Sequence, residues 1–76
     1  MSKGCSLYDL KQGQTARVKS LLTTGSMRRR LQDIGLIEGT KVERLLTSPA
    51  GDPIAYLIRG AVIALRSEDS SKVFVH

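Results

Sequence analysis

Apolar residues in this chain come in short runs with strand-like alternation, and glycine and proline break them at close intervals: Gly13, Gly25, Gly35, Gly39, Gly51, Pro53 and Gly60. The runs at 15–22, 41–47, 53–58, 61–65 and 72–75 are rich in Val, Ile and Leu and have strand length, so five strands are predicted. Ile54, Tyr56 and Ile58 share one face, as do Ala61, Ile63 and Leu65, which is the pattern of half-buried strands. Leu45 and Leu46 are both apolar, so the strand over 41–47 needs a bulge or a two-sided environment. Arg59-Gly60 between the two best-alternating runs marks a tight hairpin, because glycine accepts the positive φ such a turn demands. Residues 48–53 hold two prolines and Gly51, and read as a longer exposed loop.

One segment has helical spacing. Met27, Leu31 and Ile34 recur at i, i+4 and i+7, with Ser26 as a cap and Gly35 as the left-handed stop, which predicts a helix over 26–33. Ser67 followed by Glu68 and Asp69 suits a cap and first turn, so a single short turn is expected there. The predicted fold is mainly β: a small, partly open barrel of about five strands, of SH3-like or OB type, with one short inserted helix. Closure of the barrel would protect its strand edges.

Length narrows the picture further. The chain has 76 residues, room for one domain over 1–76, with residues 1–5 expected to be flexible. Chains of this size bury only about 60% of the surface they expose when unfolded, so the apolar residues are spent on the core and a deep substrate cleft is not expected. The longest apolar runs, 54–58 and 61–65, fall far short of the roughly 20 residues of a membrane-spanning helix. Residues 1–6 lack the apolar stretch and cleavage site of a secretory signal, and Cys5 is the only cysteine, so cytoplasmic residence without internal disulfides is expected.

Candidate chemistry is sparse. His76, the only histidine, is the terminal residue, and the seven carboxylates are scattered apart from Glu68-Asp69, so no nucleophile–base pair or acid–base pair is evident. Phosphate-cradling glycine motifs and Cys/His metal sets are missing as well. The expectation is a protein that is not an enzyme and has no cofactor, no catalytic residue and no built-in metal site.

Charge is where the sequence departs from blandness. The net charge is +5, and residues 1–30 carry seven Lys or Arg against Asp9 alone, whereas the remainder carries five against six acids. Arg28, Arg29 and Arg30 fall in the first turns of the predicted helix, where each cation costs on the order of 0.3 to 1 kcal/mol against the helix dipole, so some other gain is implied. At 100° per residue Arg29 lies opposite the apolar stripe, Arg28 toward its border and Arg30 close beside it. Arg30 is expected to lay its stem over the barrel and bond carbonyls of a neighbouring loop, leaving Arg28 and Arg29 solvated. The exposed pair is either a partner contact or an inert charged face. Single-stranded nucleic acid is the rival partner for a basic barrel, but the only aromatics are Tyr8, Tyr56 and Phe74, few for a stacking platform.

Read end to end, the chain carries Leu7-x-x-Leu10-x-x-Gly13-Gln14, then Arg30-Leu31-x-x-Ile34-Gly35-Leu36-Ile37-x-Gly39-Thr40-x-Val42, then Gly51-Asp52-Pro53-Ile54, then Arg59-Gly60-x-x-Ile63-Ala64-Leu65-Arg66. These segments, in this order, resemble the FeoA family over nearly the whole chain. Family members often have proline before the second glycine of the middle motif; this chain has Glu38 there. The resemblance implies an SH3-like barrel in the cytoplasm that assists FeoB, the membrane ferrous-iron transporter with a cytosolic GTP-binding domain. It also implies turn roles for Gly35, Gly39, Gly51, Pro53 and Gly60, and leaves the helix region, with Met27, Arg28, Arg29 and Arg30, as the expected partner contact. A related barrel ends the iron-dependent repressors of the DtxR type, so a free-standing metal-responsive domain is an alternative, as is a nucleic-acid-binding barrel. Self-association is left open.

Overall fold

The structure, a computed structural model, describes residues 5–76. Its elements in order are β1 (Cys5–Ser6), a 3-10 turn (Leu7–Asp9), β2 (Thr15–Leu21), α1 (Gly25–Asp33), β3 (Lys41–Thr47), β4 (Ile54–Ile58), β5 (Ala61–Leu65), α2 (Ser67–Ser70) and β6 (Val73–Val75). The strands form one antiparallel sheet in the order β1-β6-β2-β3-β4-β5, rolled around a core. All five predicted strands are present. β1, the sixth, pairs Cys5 with Val75 and Ser6 with Phe74. Of residues 1–5, expected to be flexible, only Cys5 is among the described residues, and it is the first residue of β1; the other four lie outside them.

The hairpin of β4 and β5 follows from its sequence. Arg59 and Gly60 have φ of 52° and 85°, the two positive values of a type I′ turn, whose twist matches that of the flanking strands. Pairing then runs without a slip from Ile58↔Ala61 to Ile54↔Leu65. In β3 the apolar doublet has the predicted consequence. Arg44 pairs with Tyr56 and Thr47 with Ile54, three residues against two, so one residue bulges and the ladder bends. Leu45 is half-buried and Leu46 is exposed.

Twelve side chains make the core: Leu7, Leu10, Val18, Leu31, Leu36, Val42, Ile54, Tyr56, Ile58, Leu65, Val73 and Val75. Fully burying one such aliphatic side chain is worth about 1.5–3 kcal/mol, and the set draws on every strand except β1. α1 contributes Leu31, which is fully buried, with Met27 and Ile34 packed at the margin.

Two expected caps are corrected. α1 starts at Gly25 with Thr24 at the cap position, so Ser26 lies inside the first turn rather than before it, and no side chain caps this end. Gly25 has φ of 67°, which turns the chain into the helix one residue early. Ser67 is likewise the first residue of α2 rather than its cap. Its N–H donates to Asp52 Oδ1 at 2.7 Å, so a carboxylate from the loop after β3 satisfies the helix end from fifteen residues away.

The sheet stays open. β1 and β5 lie at opposite ends of its order, so the expected protection of both edges by closure does not extend to β5. Among the described residues no helix is long and apolar enough to cross a membrane.

Candidate docking surface around helix α1

α1 lies across the barrel with Leu31 as its anchor and Met27 packed beside it, and its exposed side chains are polar. Its end is set by Gly35, at φ 106°, whose N–H bonds to Gln32 O at 3.0 Å while Leu36 N–H reaches back to Leu31 O at 3.1 Å. Gly35 is also where the hairpin touches the helix. A Cβ built there would lie 2.7 Å from Arg59 Cδ and 3.2 Å from Ile58 Cγ2, so the missing side chain lets the Arg59 stem pack against the helix end. Gly39, Gly51 and Gly60 also have positive φ, and Pro53 follows a cis peptide bond immediately before β4.

The three arginines do not behave as their helical positions suggest. Arg28 Nη1 donates to Leu21 O at 3.3 Å, bridging α1 to the end of β2. Arg29 and Arg30 are exposed and, among the described residues, have no hydrogen-bonding partner. The carbonyl contact expected of Arg30 is thus made by Arg28, because β2 ends beside Arg28. Met27 is half-buried, packed against the edge of the core.

Arg28 forms one wall of a cleft of about 390 Å³ between β2 and α1. Val18 and Leu36 lie at its floor, and Lys19, Gln32, Ile37 and Glu38 complete the rim. Ile37 is 45% exposed, and Leu22 just past the end of β2 is 59% exposed. An apolar floor, two cations, one acid and protruding aliphatics are the parts of a protein–protein contact: burial for affinity, charge for orientation. Lys19, Ile37 and Glu38 were not read from the sequence as contact residues, although Ile37 is apolar just past the helix stop.

Elsewhere one buried polar side chain is tied into the fold. Tyr56 OH donates to Leu7 O at 3.1 Å, and burial pushes its phenol above the ordinary value of 10.0, partly offset by Ser70 and the Arg44 charge. Of the three aromatics, Tyr56 is buried, Phe74 half-buried and Tyr8 exposed. Among the described residues, no group of three or more His, Cys, Asp or Glu side chains is gathered to hold a metal ion.

The rolled sheet and its inserted helix recur in known proteins. The solution structure of FeoA from Chlorobium tepidum is 37% identical, with a TM-score of 0.87 over 93% of this chain and 68% of that one. The zinc-complexed FeoA of Stenotrophomonas maltophilia, described as a prokaryotic SH3 domain protein, is 25% identical, with a TM-score of 0.83 over 93% of this chain and 88% of that one. The fold is accordingly mainly β and SH3-like. A Porphyromonas gingivalis fusion of Fe(2+) transport protein A with the Fe(2+) transporter FeoB is 29% identical over 69 residues, 91% of this chain; the chain spans only 8% of that relative's length. The FeoA domain family matches residues 5–76, the whole described barrel, and the protein belongs to that family.

Proposed function

We propose that the protein is a small cytosolic accessory of ferrous iron uptake that docks on the cytosolic, GTP-binding part of a FeoB-type transporter through the α1 face. The observation that carries this reading is the fusion relative, in which a segment similar to 91% of this chain is joined to FeoB in one polypeptide. Covalent joining holds two modules at a high effective concentration; separate chains must replace that tether with a surface of sufficient affinity. The cleft beside α1 suits the purpose, because apolar and charged groups meet there and Arg28 is already positioned by its bond to Leu21 O. Nothing in this role requires turnover of a substrate.

Direct calorimetric titration against the cytosolic domain of FeoB tests the reading. The Arg28→Glu/Arg29→Glu double variant is expected to bind at least about tenfold more weakly, equivalent to about 1.4 kcal/mol. Wild-type affinity should fall with added salt. Both side chains are exposed, so the thermal midpoint should stay nearly unchanged. An unaltered affinity would remove this face, and no binding by the wild type would remove the reading itself.

A further inference from the structure

The two edges of the sheet are unlike. β1 at one edge has two residues, while β5 at the other has five, Ala61-Val62-Ile63-Ala64-Leu65, with neither charge nor proline. Shortness, charge and proline are the usual means by which an edge avoids pairing with another chain, and β5 has none of them. The hairpin fixes which backbone groups are free. Ile58 and Ala61 flank the two-residue turn and exchange both hydrogen bonds, so Tyr56–Ile63 and Ile54–Leu65 are the next bonded pairs. The N–H and C=O of Val62 and Ala64 therefore point away from β4. Both residues are exposed, Val62 by 66%.

We propose that β5 pairs antiparallel with β5 of a second copy of this chain, about a twofold axis through Ile63. This inference goes beyond the docking reading and does not depend on it. In that register Val62 faces Ala64 of the second copy and Ala64 faces its Val62, so each pair exchanges two hydrogen bonds and all the outward groups of both residues are used. Larger side chains meet smaller ones, Leu65 against Ala61 and Val62 against Ala64, and Ile63 meets its own copy at the axis. Two molecules of net charge +5 would meet along a strand that itself carries no charge, and in this register Arg66 comes opposite Gly60, which has no side chain. On the outer face Leu57 neighbours Val62 and Ala55 neighbours Ala64, so pairing extends one apolar row across both copies. A strand of this length is about 17 Å long, which places the contact in the small, weak class of interfaces.

Sedimentation velocity from roughly 10 µM to 1 mM, the range suited to so small a contact, should show a concentration-dependent dimer. Val62→Lys, which sets a cation on the outer face of the edge, should raise the dissociation constant at least about tenfold with an unchanged circular dichroism spectrum and thermal midpoint. Ala64→Pro removes a donor that β4 does not use and should act in the same direction. Register is read by Ile63→Cys in a Cys5→Ser background. The axial pair would have Cα atoms about 4.5 Å apart, within disulfide range, so oxidation should give a covalent dimer. A wild type that stays monomeric throughout the range, or self-association indifferent to Val62→Lys, would overturn the proposal. Val62→Lys that self-associates normally yet loses binding to the FeoB domain would assign the edge to a partner strand instead, and would overturn it too.

Discussion

The β4–β5 hairpin and the N-terminal flank from Cys5 to Gln14 line the same core, yet they are held in place by different means. The hairpin is local: a two-residue turn, five consecutive cross-strand pairs and, in β4, alternating burial, all within residues 54–65. The flank has only Ser6, Leu7 and Leu10 buried, and its backbone is fastened largely by groups that arrive from far along the chain. Tyr56 OH bonds Leu7 O, the Arg44 guanidinium bonds Leu10 O, Gly13 N–H bonds Arg44 O at 2.7 Å, and Arg44 N–H bonds Gln14 O at 3.0 Å. Within the flank itself, Asp9 accepts from Ser6 N at 3.0 Å and Ser6 Oγ at 3.2 Å. One region is thus specified by neighbours in sequence, and the other by two polar side chains of β3 and β4 that it could not have chosen locally.

Arg44→Met is the largest test of that difference. The methionine keeps an apolar stem but leaves the buried Leu10 carbonyl without its donor, and it also gives up the Arg44 Nη2 bond to Thr47 Oγ1 at 2.8 Å. Hydrogen bonds to charged groups are worth roughly 1.5–3 kcal/mol each, and the orphaned carbonyl adds to the loss. Arg44 Nε is itself buried without a partner, which subtracts from the gain the native residue brings. A net loss of about 2–3 kcal/mol in urea unfolding is expected. Hydrogen exchange should show the flank amides losing more protection than those of β4 and β5; equal losses would break the comparison. Gly35→Ala is the corresponding test on the hairpin side. A side chain at φ 106° is strained, and its Cβ would press on Arg59 Cδ at 2.7 Å, so a cost of roughly 1–2 kcal/mol is expected. Repeating the substitution in an Arg59→Ala background should recover the steric part and leave the backbone part, which sharpens the attribution.

This division explains what could be read from the residues alone. Arg59-Gly60, the alternation on either side of it, the doublet Leu45-Leu46 and the Leu31 stripe all encode their structure within a few positions, and each took the form expected. β1 and the 3-10 turn were not legible, because Cys5–Ser6 is a strand only through Val75 and Phe74, and the flank is fixed only through Arg44 and Tyr56. The caps failed for the same reason: Asp52 reaches Ser67 across the fold, so the best local candidate was not the group used. At the proposed docking surface the cluster of arginines was visible, but that Arg28 rather than Arg30 bonds a carbonyl depends on where β2 ends. The β5 edge was legible as a strand and not as an edge, since which strand lies outermost is a property of the sheet order.

Tyr56 belongs to both regions at once, and it supplies the smallest and most discriminating effect. Its ring fills the core from β4, and its hydroxyl reaches Leu7 O in the flank at 3.1 Å. Tyr56→Phe keeps the ring and removes one buried hydrogen bond, so a loss of about 1 kcal/mol is expected near neutral pH. The pH dependence carries more information. Burial raises the phenol above its ordinary value of 10.0, so below pH 10 it is neutral in both folded and unfolded chains and contributes no slope. Above pH 10 the unfolded chain releases this proton while the folded one retains it, and wild-type stability falls as pH rises toward the folded value. Phenylalanine has no proton to lose. The stability gap between wild type and Tyr56→Phe, followed by urea midpoints from neutral pH to above 10, should therefore be constant at first and then narrow. A gap that held constant into the alkaline range would mean that the phenol ionises as readily in the fold as in water, and that the flank does not seal the core over it.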